Sequence, residues 1–494
     1  MTPQIAQFPP DVPQFAQAPQ INKKGFWTAV IGLILMTSLL LIGHQLSVLQ
    51  IAYPVVTFSI AIYFYVKYPV QFIGYIWWIF FLTPEVRRLS DFVQGGFTEV
   101  SLIMLAPLLV SAPLAITIMR RLRYFGTQAG LAMLMVTLAL LYGYIVGIIN
   151  AGLAASTYGL SNWLTPVLVA FHLAVGWRQY PAYRTCLLRT FTIGTAVCAG
   201  YGVIQYMILP PWDAMWMIWS GMTSSMGAPF PFQVRVFGPL NSLAPFTAVV
   251  LAGVLVTTVA QNNRGRMFAA VFGVIALGLS FVRSSWGALV IGIIYQMLFF
   301  DNRTRIRIVM GALIVVAATI PVFMSSNVSD NLETRLSTLT DLKNDNSFSA
   351  RSDFYQTFLD TALTNIAGIG VGGTGLSTKL SGDASATQYK NFDSGIMEIP
   401  FVLGWPGTLL YVFGLGWMIV TGAIAALRTK EDRFSVAWFS MAIAMLSQLI
   451  FGNSMIGPAG QLAFMGMVFP VMALRYNKYQ ATLARNAANA QVLP

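Results

Sequence analysis

The chain has 494 residues, 56% of them hydrophobic and only 9% charged, with a mean hydropathy of +0.68. That composition excludes a soluble globular domain, which cannot hide so much apolar sequence, and selects a bundle of membrane-spanning helices. The formal net charge of +12, from 29 Lys and Arg against 17 Asp and Glu, is dispersed over many short loops; it excludes a nucleic-acid footprint and serves topology instead.

Residues 1–24 are largely Pro/Gln-rich and lack the charged-then-apolar order of a signal peptide, so they read as a disordered cytoplasmic tail. Apolar windows follow near residues 34, 56, 76, 109, 140, 168 and 199, which place an N-terminal set of transmembrane helices over 25–209. Windows near 251, 274, 293, 315 and 412 fall in a second half, 210–425, which also carries external stretches at 210–242 and 325–393. Windows near 442 and 466 supply the last two transmembrane helices of 426–494, before a cytoplasmic C-terminal tail. A spanning helix needs about 20 apolar residues, and the windows near 76, 274, 293 and 466 are short. The expected fold is an all-α polytopic membrane bundle of about 14 transmembrane helices, within a range of 12 to 14, with a large external, partly helical loop.

Basic residues set the orientation. With Lys23 and Lys24 inside, alternate connections carry "RRLR" (120–123), "WRQYPAYRTCLLR" (177–189), "NNRGR" (262–266), "NRTRIR" (302–307) and "RTKEDR" (428–433); with Lys67, Arg475, Lys478 and Arg485 added, 20 of the 29 Lys and Arg lie inside. Both termini are thereby expected in the cytoplasm. Nine basic residues break the rule: Arg87, Arg88, Arg235, Arg283, Arg335, Lys343, Arg351, Lys379 and Lys390. Arg235, Arg283 and Arg351 stand beside span ends. Singly, each is most simply read as snorkelling to headgroups or pairing with a nearby Asp. Together, on one side of the membrane and beside the carboxylate of Asp393, they suggest an anionic site, because guanidinium forks stay charged when desolvated.

Other signals carry less. "GVGGTG" (370–375) matches a dinucleotide pattern but has no βαβ unit around it, so a tight loop with Gly at positive φ is preferred. The segment 367–388, rich in Gly, Ser and Asp, is expected to bury little and to be mobile, whereas Phe354, Phe358, Leu359 and Ala362 after Arg351 recur at helical spacing. The aromatic stretch "PPWDAMWMIW" (210–219) reads as an interfacial belt. His44 and His172, the two histidines, with Cys186 and Cys198 build no metal set, and the cysteines offer no external disulfide.

Four blocks in the second half resemble the O-antigen ligase and Wzy-type polysaccharide polymerase superfamily. They are "RVFGPLNSLAPF" (235–246), "FVRSSWGALV" (281–290), "ARSDFYQTFLDTALTNIAGIGVG" (350–372) and "FDSGIMEIPFVLGWPGTLLY" (392–411). The resemblance covers roughly 230–425. Asp393 stands where ligases of the family carry His, and Ser394 where Asn is usual, which is more like the polymerases. "FLTPEVRRLSDFVQGGFTEVSLIMLAPLLV" (81–110) is similar to an early segment of exopolysaccharide polymerases.

The resemblance implies a membrane glycosyltransferase that polymerises undecaprenyl-pyrophosphate-linked oligosaccharide repeat units. It would act at the outer face of a bacterial inner membrane, with its active site toward the periplasm. The implied partners are the lipid-linked glycan donor and acceptor, the bilayer, and a chain-length regulator protein. An acceptor hydroxyl would attack the anomeric carbon with inversion, needing no cofactor or metal. Arg235, Arg283 and Arg351 would stabilise the departing pyrophosphate, and Asp393 would take the proton. Glu398, one turn deeper, is the second carboxylate, either catalytic or bracing an Arg. The rivals are an O-antigen ligase, a protein O-oligosaccharyltransferase and, from another class, a lipid-linked oligosaccharide flippase. A flippase would want charged groups at mid-bilayer in both halves, and residues 1–230 show almost none within their apolar windows.

Overall fold

The computed structural model describes residues 23–260, 264–323, 365–381 and 394–492. Arg351 and Asp393, and with them the external helix expected after Arg351, lie outside the described residues. Within these bounds the chain is helical, and β-structure is limited to an isolated bridge between Gly227 and Val234.

α1 (Lys23–Ile42), α2 (Leu46–Lys67) and α3 (Pro69–Gln94) come first. Proline opens α3, where its missing N–H costs nothing, and Gly95 at φ 72° closes it. A 3-10 turn at Leu102–Leu105 leads into α4 (Ala106–Ser111) and α5 (Leu114–Arg120). α6 (Gln128–Ala151) is capped by Thr127, whose hydroxyl accepts the Gly130 N–H, and α7 (Leu153–Val175) and α8 (Tyr180–Ile208) follow. The short α9 (Pro211–Trp219) and α10 (Thr223–Met226) precede α11 (Leu243–Thr257), α12 (Arg264–Leu279), α13 (Arg283–Phe299) and α14 (Asn302–Phe323). After the Gly-rich loop come α15 (Gly395–Arg428), α16 (Arg433–Ser447) and α17 (Gly457–Val492).

Each expected apolar window falls on one of these helices. Nine helical stretches among the described residues are long and apolar enough to cross a membrane. The rest are α3, whose last third is charged, α11 to α13 at 15, 16 and 17 residues, and α14. α3 runs for 26 residues and α17 for 36, because both helices continue past their apolar windows into polar sequence. α11 is buried on every side from Phe246 to Thr257, and it packs on α8, α12, α13, α16 and α17. A helix that is apolar all round can only be satisfied at such a centre. α15 lies along α6, and α17 along α7 and α16.

α15 is broken at Gly404, which takes φ 59° and ψ −177°. Proline at 406 has no N–H to give, so the Val402 carbonyl loses its helical partner. The Gly370 N–H replaces it at 2.9 Å, Ile369 N–H reaches the Phe401 carbonyl at 3.0 Å, and Trp405 N–H turns away to Ile366 O at 3.0 Å. The Gly-rich loop thus completes the hydrogen bonding of a discontinuous helix, the condition under which irregular backbone survives at membrane depth. On its other side, Val371 N–H donates to Gly143 O at 2.9 Å, and Asn150 donates to Ile369 O. The expectation that this loop buries little is therefore corrected over 367–381. A Cβ on Gly370 would stand 2.1 Å from the Gly147 nitrogen, so two glycines let backbone pack on backbone. Residues 382–388 lie outside the described residues.

Candidate functional site

The segment 233–240 crosses the ends of α8 and α12. The amide oxygen of Gln205 accepts the N–H groups of Phe237 and Gly238, and Val236 N–H donates to Leu279 O. Gly238 turns at φ 57°, and a Cβ there would meet the Phe246 ring at 2.4 Å, which explains a glycine in "RVFGPLN". The Arg235 guanidinium then reaches the turn between α12 and α13. Its Nε donates to Ser280 O at 3.1 Å, Nη2 to Phe281 O at 3.2 Å and Nη1 to Ser225 O at 2.9 Å. Three of the five N–H groups of this side chain are spent on carbonyls. Arg235 is thus a tie that fixes the turn from which Arg283, partly exposed, opens α13. Phe281 in that turn holds φ 52°, a conformation a bulky side chain keeps only when its surroundings impose it.

A second set of charges sits beside this segment. Arg88, on α3, is fully buried. It ion-pairs with Glu85 and, through Nε, with Asp213 at 3.2 Å, and it donates to Gly238 O at 2.8 Å and Leu240 O at 3.1 Å. The ring of Phe237 stacks on it at 5.0 Å. Tyr201 hydroxyl bridges Glu85 and Asp213, each at 2.9 Å, and Gln205 amide donates to Asp213 at 2.6 Å. Burial, with Glu85 competing for the same guanidinium, pushes the Asp213 carboxyl up to about 6, against the pull of Arg88. Arg87 pairs with Asp91 at 3.5 Å and donates to Thr98 O. These charges stand in the first half of the chain, which the sequence reading takes as nearly free of them within its apolar windows. The same network adds to the interfacial-belt reading of 210–219 an inward-facing side. Asp213, Trp216 and Met217 of α9 are buried, and the Trp212 indole donates to Tyr201, because the helix caps this charge cluster.

Glu398 lies in the first turn of α15, buried, with the Thr374 hydroxyl of the Gly-rich loop donating to it at 2.8 Å and the Asn453 side chain beside it. Among the described residues no Lys or Arg forms an ion pair with it, so the reading of Glu398 as a brace for an Arg finds no partner there. Ser394, buried, is the N-cap of α15, and Asp393 precedes it by one position. The turn at Gln448–Ile450 packs against both α13 and α15, and a Cβ on Gly395 would meet Asn453 backbone. Lys379 pairs with Glu99 at 3.6 Å, which links the Gly-rich loop to the segment after α3.

Of the five site residues expected from sequence, the structure joins Arg235 to the turn carrying Arg283 and sets Glu398 on a helix that shares a neighbouring turn with α13. Arg351 and Asp393 lie outside the described residues. Glu85, Arg88 and Asp213 were missed as a unit. Their signals were the Glu85–Arg88 spacing of three on a helix, and a lone Asp inside an aromatic run. Among the described residues, no group of three or more His, Cys, Asp or Glu is placed to hold a metal ion.

Residues 268–412 match the family model described as O-antigen ligase, and this supports the O-antigen ligase and Wzy-type superfamily for the chain. No curated protein matches the chain. The matched stretch contains Arg283, Arg351, Asp393 and Glu398; Arg235 and Arg88 precede it. With nine long apolar helices among the described residues, the match supports a multi-pass membrane protein of the O-antigen ligase or polymerase type.

Proposed function

We propose that the chain is a membrane glycosyltransferase that polymerises lipid-pyrophosphate-linked oligosaccharide repeat units. In this reading about 14 helices cross a bacterial inner membrane, both termini are cytoplasmic, and the ends carrying Arg283 and Glu398 face the periplasm. The observation that carries the reading is the meeting at one end of the bundle of segments that resemble the family's blocks. Arg235 binds the 280–283 turn through the carbonyls of Ser280 and Phe281, and also the Ser225 carbonyl, while Thr374 of the Gly-rich loop binds Glu398 of the block from 392 to 411.

An acceptor hydroxyl attacks the anomeric carbon, its proton passes to Asp393, and the pyrophosphate leaves with the electron pair of the broken C–O bond. Negative charge grows on the leaving group, so cations set in place beforehand stabilise the transition state most in a site sheltered from water. Arg283 and Arg351 supply those cations. Arg235 holds Arg283 in register through the turn that carries it. Glu398, buried behind the N-cap of α15, orients the Gly-rich loop through Thr374.

A ligase that moves the glycan to a separate acceptor is the second reading, favoured by the description of the matched family. Purified protein incubated with lipid-linked repeat units alone separates the two. A ladder of products supports polymerisation. Unchanged substrate that reacts only after a second acceptor is added replaces it with ligation, and intact substrate carried across a vesicle replaces both with a flippase.

A further inference from the structure

A large cavity among the described residues lies away from Arg283 and Glu398. It is a groove of about 2200 Å³ between α1, α3, α8 and the polar end of α17. α1 turns Phe26, Val30, Leu33, Thr37 and Leu41 toward it, at helical spacing, and α3 turns Val70, Gly74, Trp78, Leu82 and Leu89. α8 contributes a third such stripe. Side chains at this spacing normally close on a facing helix; α3 and α8 do meet, with Cys186 Sγ 3.5 Å from Val70 O, whereas α1 stands largely off both. Close-packed interiors leave few gaps larger than a water molecule, so a groove of this size has room for an apolar guest. From Val70 to Leu89 the groove runs about 29 Å at 1.5 Å per residue, close to the thickness of the hydrocarbon core.

The two ends of the groove differ in charge. Arg120, Arg121, Arg123, Arg178, Arg475 and Lys478 gather at one end, with Arg189 further along α8, whereas Glu85, the single carboxylate among the described lining residues, lies at the other. Aromatic rings steady two of the cations. Arg178 stacks on Trp177 at 5.3 Å and Tyr479 at 5.6 Å, and Arg475 stacks on Tyr124 at 5.4 Å while donating to its hydroxyl at 3.0 Å. Such contacts orient a guanidinium without cancelling its charge. An apolar trough with a cationic mouth at helix ends, where lipid headgroups lie, is complementary to one class of molecule.

We propose that this groove is a binding site for an anionic phospholipid, its phosphate among the six cations and its acyl chains along the stripes of α1, α3 and α8. The lipid docks α1, which touches the rest of the molecule mainly through α2. The site is independent of the catalytic reading, and its test needs no glycan substrate.

The full chain would be extracted in mild detergent, washed by repeated detergent exchange, and examined by native mass spectrometry with lipid identification. Phosphatidylglycerol or another anionic phospholipid should remain bound, enriched over phosphatidylethanolamine relative to the source membrane. In Arg178→Gln/Arg475→Gln the retained anionic lipid should fall roughly tenfold or more, while Arg303→Gln, exposed on α14, should retain it as wild type does. Added phosphatidylglycerol should raise the thermal midpoint of delipidated wild-type protein, and neither phosphatidylethanolamine nor inorganic phosphate should match it. Retained lipid of bulk composition, a polyprenyl phosphate in its place, or equal stabilisation by inorganic phosphate would overturn the proposal. Should the double variant fail to fold, the wild-type enrichment and the added-lipid comparison decide it.

Discussion

Replacing Arg88 by Met keeps the length and apolar stem of the side chain and removes the guanidinium. Two carboxylates, Glu85 and Asp213, then face each other across Tyr201 without the cation, and the carbonyls of Gly238 and Leu240 lose their donor. Removing one partner of a buried pair typically costs about 3–5 kcal/mol, most of it from the charge left behind. This site should lie at the upper end, because two carboxylates are stranded and one of them is wholly buried. Arg88→Lys should fall in between, since an ammonium restores charge but cannot span two carbonyls and two carboxylates. Reversible unfolding in mixed micelles gives the difference. The decisive variant is Arg88→Met/Asp213→Asn. If the cost is stranded charge, the second substitution should recover at least about 1.4 kcal/mol, a tenfold change in the folding equilibrium. A double variant no more stable than Arg88→Met would refute the electrostatic account and assign the loss to packing against Phe237 and Trp216.

Asp213 supplies a pH signature. Its folded pKa, about 6, lies above the ordinary 3.8, so the folded state holds the extra proton between these values. The stability it contributes is complete below about 4 and lost as pH rises through about 6; thermal midpoints should fall from pH 5 to pH 7, and Asp213→Asn should flatten that slope. At the candidate base, Asp393→Asn should abolish chain extension while donor binding persists, and Asp393→His should keep part of the rate; full activity in the Asn variant would point to Glu398 instead. For the Gly-rich loop, Gly370→Ala should cost at least about 2 kcal/mol through collision with Gly147. Gly375→Ala, where nothing stands within 4 Å, should cost only the strain of a left-handed residue, about 1–2 kcal/mol. Equal losses in fluorescence-detected folded yield would count against the embedded loop.

Hydropathy placed the helices because a spanning segment must satisfy its own backbone, which leaves a continuous apolar run as its mark. The charge rule also singled out Arg88, Arg235 and Arg283, and the structure places Arg88 in a buried ion cluster and Arg235 on the turn that carries Arg283. It did not say what each cation does. The partners of Arg88 come from α9 and from the 238–240 turn, distant in sequence, and those of Arg235 are carbonyls, which every residue has. The Gly-rich loop misled for a related reason. Glycine offers no side chain to bury, so composition suggests an unpacked segment, yet it is the missing side chains that let Ile369, Gly370 and Val371 bond directly to α15 and α6.

The splice at Gly404 has a consequence for how this protein can be recombined. Residues 366–371 occupy the hydrogen-bonding positions that α15 itself leaves vacant, so loop and helix are two pieces of one part, with Gly143 and Gly147 of α6 as its seat. A chimera that takes its loop from one relative and its helix from another would mismatch that part. The natural seam lies upstream, between the end of α14 at Phe323 and Asn365. An exchange or a split made there transfers the loop, Glu398 and both halves of α15 together, leaving the exposed carbonyls of the broken helix with the partners they were folded against.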